Sequence, residues 1–197
     1  MFENRTERPY IDGGLLPPTE RYVFEQMHFH WGESDSVGSE HVIDGKTYSM
    51  EVHLVHFNLK YGNFKLAINK KDGVAVVAFF IQASEYEKCE LFGKITDQIH
   101  NIRELYSKTP LESDCLEWMS LQELDKHYFT YHGSLTTEPY NECVTWIIYR
   151  TPVFVSKQQV AAFRDLQSTD NTNKITKNCR SIQTPVQMPP VIFTGTV

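Results

Sequence analysis

Residues 74–82, Val-Ala-Val-Val-Ala-Phe-Phe-Ile-Gln, form a nearly unbroken apolar run. A strand with one wet face alternates apolar and polar side chains, so a run like this one reads as a strand buried on both faces. Three further runs read as strands: Tyr22–Trp31, which is aromatic-rich and alternates, 49–58, which does likewise, and 144–149. Two helices are expected. Phe92, Ile95, Ile99 and Ile102 keep helical spacing on one face. Residues 156–166 open with Ser156 and Gln159 at capping-box spacing and carry Val160 and Phe163 on one side. The tail, 185–197, holds three prolines and reads as extended. Residues 1–21 are polar and turn-rich, with Gly13-Gly14 and Pro17-Pro18, and read as an irregular lead-in. The expectation is one domain over 22–197, mainly β with peripheral helices.

The formal net charge is −6, which argues against nucleic acid or an anionic membrane as partner, since both call for a basic face. No apolar run approaches the ~20 residues of a membrane helix. The first residues carry no apolar core of a signal peptide. Cys89, Cys115, Cys143 and Cys179 show no C-x-x-C spacing, so reduced thiols in a cytoplasmic protein are expected. The sequon at Asn4-Arg5-Thr6 reads as accidental without a secretion signal.

Strand periodicity then points to chemistry. Successive side chains on a strand face opposite ways, which places Tyr22, Phe24, Gln26, His28 and His30 on one face of the first run. His28 and His30 stand ~6.5 Å apart along the backbone, close enough to converge on one ion at ~2 Å. Two histidines at this spacing also fit a pair of half-buried strand side chains. In the second run Glu51, His53 and Val55 share a face. If the two strands pair, His53 completes a three-histidine set, which leaves the fourth tetrahedral position of zinc to water, the catalytic pattern. Gln26 and Glu51 each sit two residues before a histidine on its own face. Each is placed to accept that histidine's remaining ring N–H. The third histidine and the two matched polar residues tip the reading toward metal.

At these residues the sequence resembles the α-carbonic anhydrases. The match includes Gln26-Met-His-Phe-His-Trp-Gly32, Gly38-Ser-Glu-His41, Glu51-Val-His-Leu-Val-His56 and Asp72-Gly-Val-Ala-Val76. It continues through Gly133-Ser-Leu-Thr-Thr137, Glu142-Cys-Val-Thr-Trp146 and Asn178-Cys-Arg180, in order and with spacing kept. The resemblance implies a large twisted, mostly antiparallel sheet and the zinc-dependent, reversible hydration of carbon dioxide to bicarbonate and a proton. It implies zinc on His28, His30 and His53, with Gln26 and Glu51 behind them. Thr136 would accept the hydrogen bond of the activated water and donate its own to Glu40. Thr137 would lie beside the substrate, and Val55, Val76, Leu135, Val144 and Trp146 would line the carbon dioxide pocket. Without the resemblance, Thr136 reads as a loop threonine, Glu40 as a surface carboxylate and the five apolar residues as core. His41 and His56 read as buried hydrogen-bonding residues. His100, His127 and His132 read as peripheral, with His132 placed by its loop near the rim. Asn178 and Arg180 read as structural, behind the site.

The sequence departs from the family pattern before Tyr22. The resemblance implies further strands and a proton-shuttling histidine in that region, and neither has a counterpart here. The domain over 22–197 is therefore expected to be incomplete, with residues 1–21 a remnant and a sheet edge open to self-association. The alternative function is a carbonic anhydrase-like module with weak or no catalysis. Glu138 stands where the family has proline, and Tyr140 where its secreted members place a disulfide cysteine.

Overall fold

The computed structural model describes residues 8–122, 127–169, 172–184 and 189–194. Asn4-Arg5-Thr6 lies outside them. Seven strands form one sheet: β1 (Tyr10–Ile11), β2 (Tyr22–Trp31), β3 (Met50–Asn58), β4 (Val74–Ser84), β5 (Tyr128–Gly133), β6 (Val144–Ser156) and β7 (Ile192–Thr194). Their order is β1-β2-β3-β4-β6-β5-β7. Every neighbouring pair is antiparallel except β4 and β6, which run parallel. A parallel pair needs a long crossover. Here it contains helix α2 (Glu90–Thr96) and two 3₁₀ turns, Ile99–Ile102 and Glu117–Leu121. The two other helices are α1 (Phe64–Ala67) and α3 (Lys157–Arg164).

β4 lies at the centre of the sheet and is buried on both faces, as its composition requires. Phe79 and Ile81 enter a core with Val52, Leu54, Trp118, Phe92 and Ile95, completed by Val160 and Phe163 of α3. Val76, Ala78 and Phe80 enter a second core with Val55, Val144, Trp146 and Ile148. Helices α2 and α3 thus cover one face, and the second core, with Phe64 of α1 packed against it, occupies the other. Each large apolar side chain removed from water contributes about 1.5–3 kcal/mol, so this double burial anchors β4 from both sides.

Four local expectations are revised. A bulge between Phe24 and Gln26 shifts the register of β2, so Phe24 packs with Met27 and Phe29 in the helix-side core and leaves the face of His28. The helical face from Phe92 to Ile102 is split: α2 ends at Thr96 and the chain tightens into 3₁₀ geometry, as helix ends commonly do. Within the lead-in, β1 pairs with Tyr22 and Val23, and Leu16 is buried beside Tyr22 and Ala75. The strand expected at 144–149 extends to Ser156. Residues 185–188 and 195–197 of the tail lie outside the described residues, and 192–194 form β7.

The connection from β2 to β3 depends on two glycines. A Cβ on Gly32 would lie 2.1 Å from the Val37 carbonyl oxygen, and one on Gly38 would lie 2.1 Å from that of Ser49. Only residues without a Cβ allow this approach, and the resulting tight loop carries Ser39, Glu40 and His41 back against β3.

Candidate metal centre

The register of β2 and β3 sets His28 opposite His53 and His30 opposite Glu51. With His30 two residues beyond His28, the three rings meet on the face away from α2 and α3. Their ring centroids lie 4.7–5.2 Å apart, and one ligand atom from each lies within 4.8 Å of the other two.

Hydrogen bonds decide which nitrogen of each ring is free. His28 Nδ1 meets Gln26 Oε1 at 2.8 Å. His30 Nδ1 faces the Asn178 carbonyl oxygen at 3.3 Å. His53 Nε2 meets Glu51 Oε1 at 2.7 Å. Each acceptor takes a ring N–H, which leaves Nε2 of His28, Nε2 of His30 and Nδ1 of His53 as lone-pair donors. His30 Nε2 is buried with no hydrogen-bond partner. Burial, reinforced by the neighbouring histidines, lowers the pKa of His28 to about 4 and that of His30 to about 3, so both rings are neutral at pH 7. Three ring nitrogens brought together in this way, one of them an orphan, fit a zinc ion.

Glu51 is fully buried. Burial alone would raise its pKa, but the charges and hydrogen bonds of His41 and His53 outweigh that and hold it well below the usual carboxylate range. His41, Glu51 and His53 also stand together as a group of potential ligands. Two of those contacts are 2.6 and 2.7 Å. Ligands ~2 Å from one tetrahedral ion stand ~3 Å apart, so this group is a hydrogen-bonded chain and not a second ion site.

Glu40, with its side chain 3% exposed, accepts from the Arg180 backbone N–H at 2.7 Å through Oε1. Its Oε2 is buried without a hydrogen bond of normal geometry. Burial raises the Glu40 pKa, and Thr136 is the foremost influence lowering it. Thr136 is therefore close enough to act on this carboxylate. Val55, Val76, Val144 and Trp146 are all buried in the second core, with Leu135 packed against it. Trp146 meets the His53 ring edge-on at 4.8 Å, so the apolar residues adjoin the histidine cluster. Thr137 is exposed.

His132 does not reach the rim of this site. It pairs with Thr145 across β5 and β6, while its neighbour Tyr131 pairs with Trp146. Alternation therefore turns His132 to the opposite face, where its Nδ1 lies 3.3 Å from Thr145 Oγ1. A surface groove of about 500 Å³ between α2 and α3, with His100 in its lining, includes none of His28, His30 and His53.

Two contributors escaped the sequence reading. Asn178 was expected to be structural, and its side chain does strap β2, donating to the Phe29 carbonyl and accepting from Trp31 N–H. Its own carbonyl, however, serves His30. Tyr131 was not singled out, yet its hydroxyl lies 2.7 Å from His41 Nε2. Both contacts join residues 90 or more positions apart, and no local spacing signals them.

The model of the eukaryotic-type carbonic anhydrase family matches residues 1–188. Carbonic anhydrase 1 of Monodelphis domestica is 41% identical over 174 residues, covering 88% of this chain and 64% of that protein. Carbonic anhydrase 7 of Homo sapiens is 37% identical over the same shares. Carbonic anhydrase 3 of Sus scrofa is 39% identical over 169 residues, 86% of this chain and 63% of its own. The chain thus spans somewhat less than two thirds of the length of these relatives. With a family match across nearly its whole length and a mostly antiparallel sheet that presents three converging histidines, the chain belongs to the eukaryotic-type carbonic anhydrase family.

Proposed function

We propose that this chain binds one zinc ion through His28 Nε2, His30 Nε2 and His53 Nδ1 and catalyses the reversible hydration of carbon dioxide. The observation that carries this is that one ligand atom from each of the three rings lies within 4.8 Å of the others, with one nitrogen of each ring held by Gln26, Asn178 or Glu51. Zinc bound there supplies Lewis acidity that makes water a nucleophile at neutral pH.

The protein's part is orientation and exclusion. Thr136 donates its hydroxyl proton to Glu40 Oε2, the atom that lacks a partner, while Arg180 N–H holds Oε1. With its proton committed, the Thr136 oxygen can only accept, so it turns the proton of the attacking water toward itself and the lone pair toward the substrate. Carbon dioxide is apolar and small. It sits against Val55, Val76, Leu135, Val144 and Trp146, with Thr137 beside it. Water adds to the carbon, bicarbonate leaves to solvent, and one proton is released per turnover. The proposed domain is 22–197, preceded by the lead-in 1–21. All four cysteines are free thiols, which suits a reducing, cytoplasmic setting. Among the described residues, no helix is long and apolar enough to cross a membrane.

The test is zinc content and carbon dioxide hydration by the purified chain and by His30→Ala. One zinc per chain and a hydration rate abolished in the variant are expected. Zinc bound without hydration would favour a non-catalytic module, and a folded chain that takes up no zinc would refute the proposal.

A further inference from the structure

The Glu51 carboxylate has four donors. Its Oε1 receives His53 Nε2–H at 2.7 Å and His41 Nδ1–H at 2.6 Å. Its Oε2 receives the backbone N–H groups of Glu40 at 2.9 Å and His41 at 2.8 Å. The far nitrogen of His41 meets the Tyr131 hydroxyl at 2.7 Å, and the ring is braced edge-on against Trp146 at 4.7 Å. A continuous chain therefore runs from His53 and Glu51 on β3, through the loop at His41, to Tyr131 on β5. It passes over β4 and β6, which separate those strands in the sheet.

We infer that His41 and Tyr131 are positioning residues for the metal centre, holding Glu51 in the one orientation that keeps the proton of His53 on Nε2 and its Nδ1 free. The inference rests on the zinc reading above and deepens it. A neutral imidazole carries one proton, on either nitrogen. If that of His53 moved to Nδ1, it would occupy the atom that faces the other two histidines. Glu51 prevents this by accepting at Nε2, provided that its carboxylate is itself kept from turning about its last bond. His41 grips it at both oxygens, through its ring and its backbone. The His41 ring is fixed in turn because Tyr131 is satisfied only when Nε2 faces it. The hydroxyl donates to a neutral ring or accepts from a charged one, and the ring orientation is the same in both cases.

The experiment uses the full chain with three substitutions. Tyr131→Phe removes one hydroxyl. His41→Asn keeps an amide donor near the place of Nδ1, and His41→Gln keeps one near the place of Nε2 and leaves Glu51 Oε1 without it. Two quantities are read: the rate of zinc transfer to a chelator, and the histidine tautomers from long-range ¹H–¹⁵N spectra of zinc-free protein. Loss of an outer partner of a metal-bound histidine typically costs ~10–100-fold in metal affinity. We expect zinc loss to speed up by about tenfold in Tyr131→Phe and by more in His41→Gln, with His41→Asn partly rescued. Zinc-free wild type should show His53 protonated on Nε2, and His41→Gln a mixture. Unchanged zinc loss in both Tyr131→Phe and His41→Gln would overturn the inference, as would a His53 tautomer insensitive to His41→Gln. Equal loss of unfolding stability with and without zinc would mark the chain as merely structural and also overturn it. If wild type takes up no zinc, the proposed function fails, and the zinc-free tautomers still decide this inference.

Discussion

At each of the three clustered histidines, the nitrogen left free is chosen by whatever holds the other one. Two of those holders, Gln26 and Glu51, are legible in the sequence, because a strand repeats every two residues and places i and i+2 together. The third, the Asn178 carbonyl, is not, since nothing local relates positions 148 residues apart. Thr136 is likewise silent in periodicity, and its assignment rests on family resemblance. Thr136→Ala should lower the hydration rate by about 10²-fold or more, the usual cost of removing an aligned polar group from a reaction centre, with zinc content unchanged. Rate measurements beside metal analysis check this, and an unaltered rate would remove Thr136 from the mechanism. His56, on the opposite face of β3, supports a pH prediction. Its Nδ1–H donates to the Leu54 carbonyl at 2.9 Å. Burial outweighs its backbone hydrogen bonds and lowers its pKa from 6.5 to about 4. Below pH 6.5 the unfolded chain takes up a proton that the folded chain refuses. This residue's share of stability is therefore complete above pH 6.5 and is lost progressively as pH falls toward about 4. Urea midpoints of zinc-free protein should fall across that window, and less steeply in His56→Asn. An identical slope in the variant would contradict the assignment.

Among the elements, the strands were the most legible, and the reasons they were misread are physical. β4 announces itself because a strand buried on both faces has no polar side chains to spare. β2 was placed correctly but its first half was assigned to the wrong face, because the bulge at Phe24/Gln26 adds one residue and inverts the alternation before it. The split of the helical segment after Thr96 was hidden because the apolar spacing continues while the backbone tightens. The capping box of α3 was expected and is present, with Ser156 and Gln159 exchanging side-chain and backbone hydrogen bonds. The sequence does not reveal that Gln159 also serves α2. Its Oε1 accepts from Cys89 N–H at 3.1 Å and its Nε2 donates to the Cys89 carbonyl at 2.8 Å. One buried amide therefore satisfies the start of two helices. Gln159→Ala should cost about 2–3 kcal/mol, since it strands several buried backbone groups at once. A loss below ~0.5 kcal/mol in chemical denaturation, the usual range for a surface substitution, would show that water or relaxation replaces it.

Across the whole molecule, one face of the sheet is committed to α2 and α3 and the other to the histidine cluster and its apolar neighbours. Stability and chemistry therefore share the central strands without competing for the same side chains. The outer edge of β2 is only partly closed. Phe24 N–H donates to the Pro9 carbonyl at one end, and Asn178 engages Phe29 and Trp31 at the other. Between them, alternation turns the backbone N–H and C=O of Met27 outward, with no strand beyond them among the described residues. An open edge of this kind templates further pairing, so the purified chain should self-associate as its concentration rises. Sedimentation velocity checks this, and a monomer at every concentration would contradict it. The central claim is that three histidines hold one zinc and leave a place open. X-ray absorption at the zinc edge of the purified chain tests it most directly. The account predicts three imidazole nitrogens at ~2.0–2.1 Å and one exchangeable oxygen ligand. A sulfur neighbour, or a shell closed by four protein ligands, would contradict it.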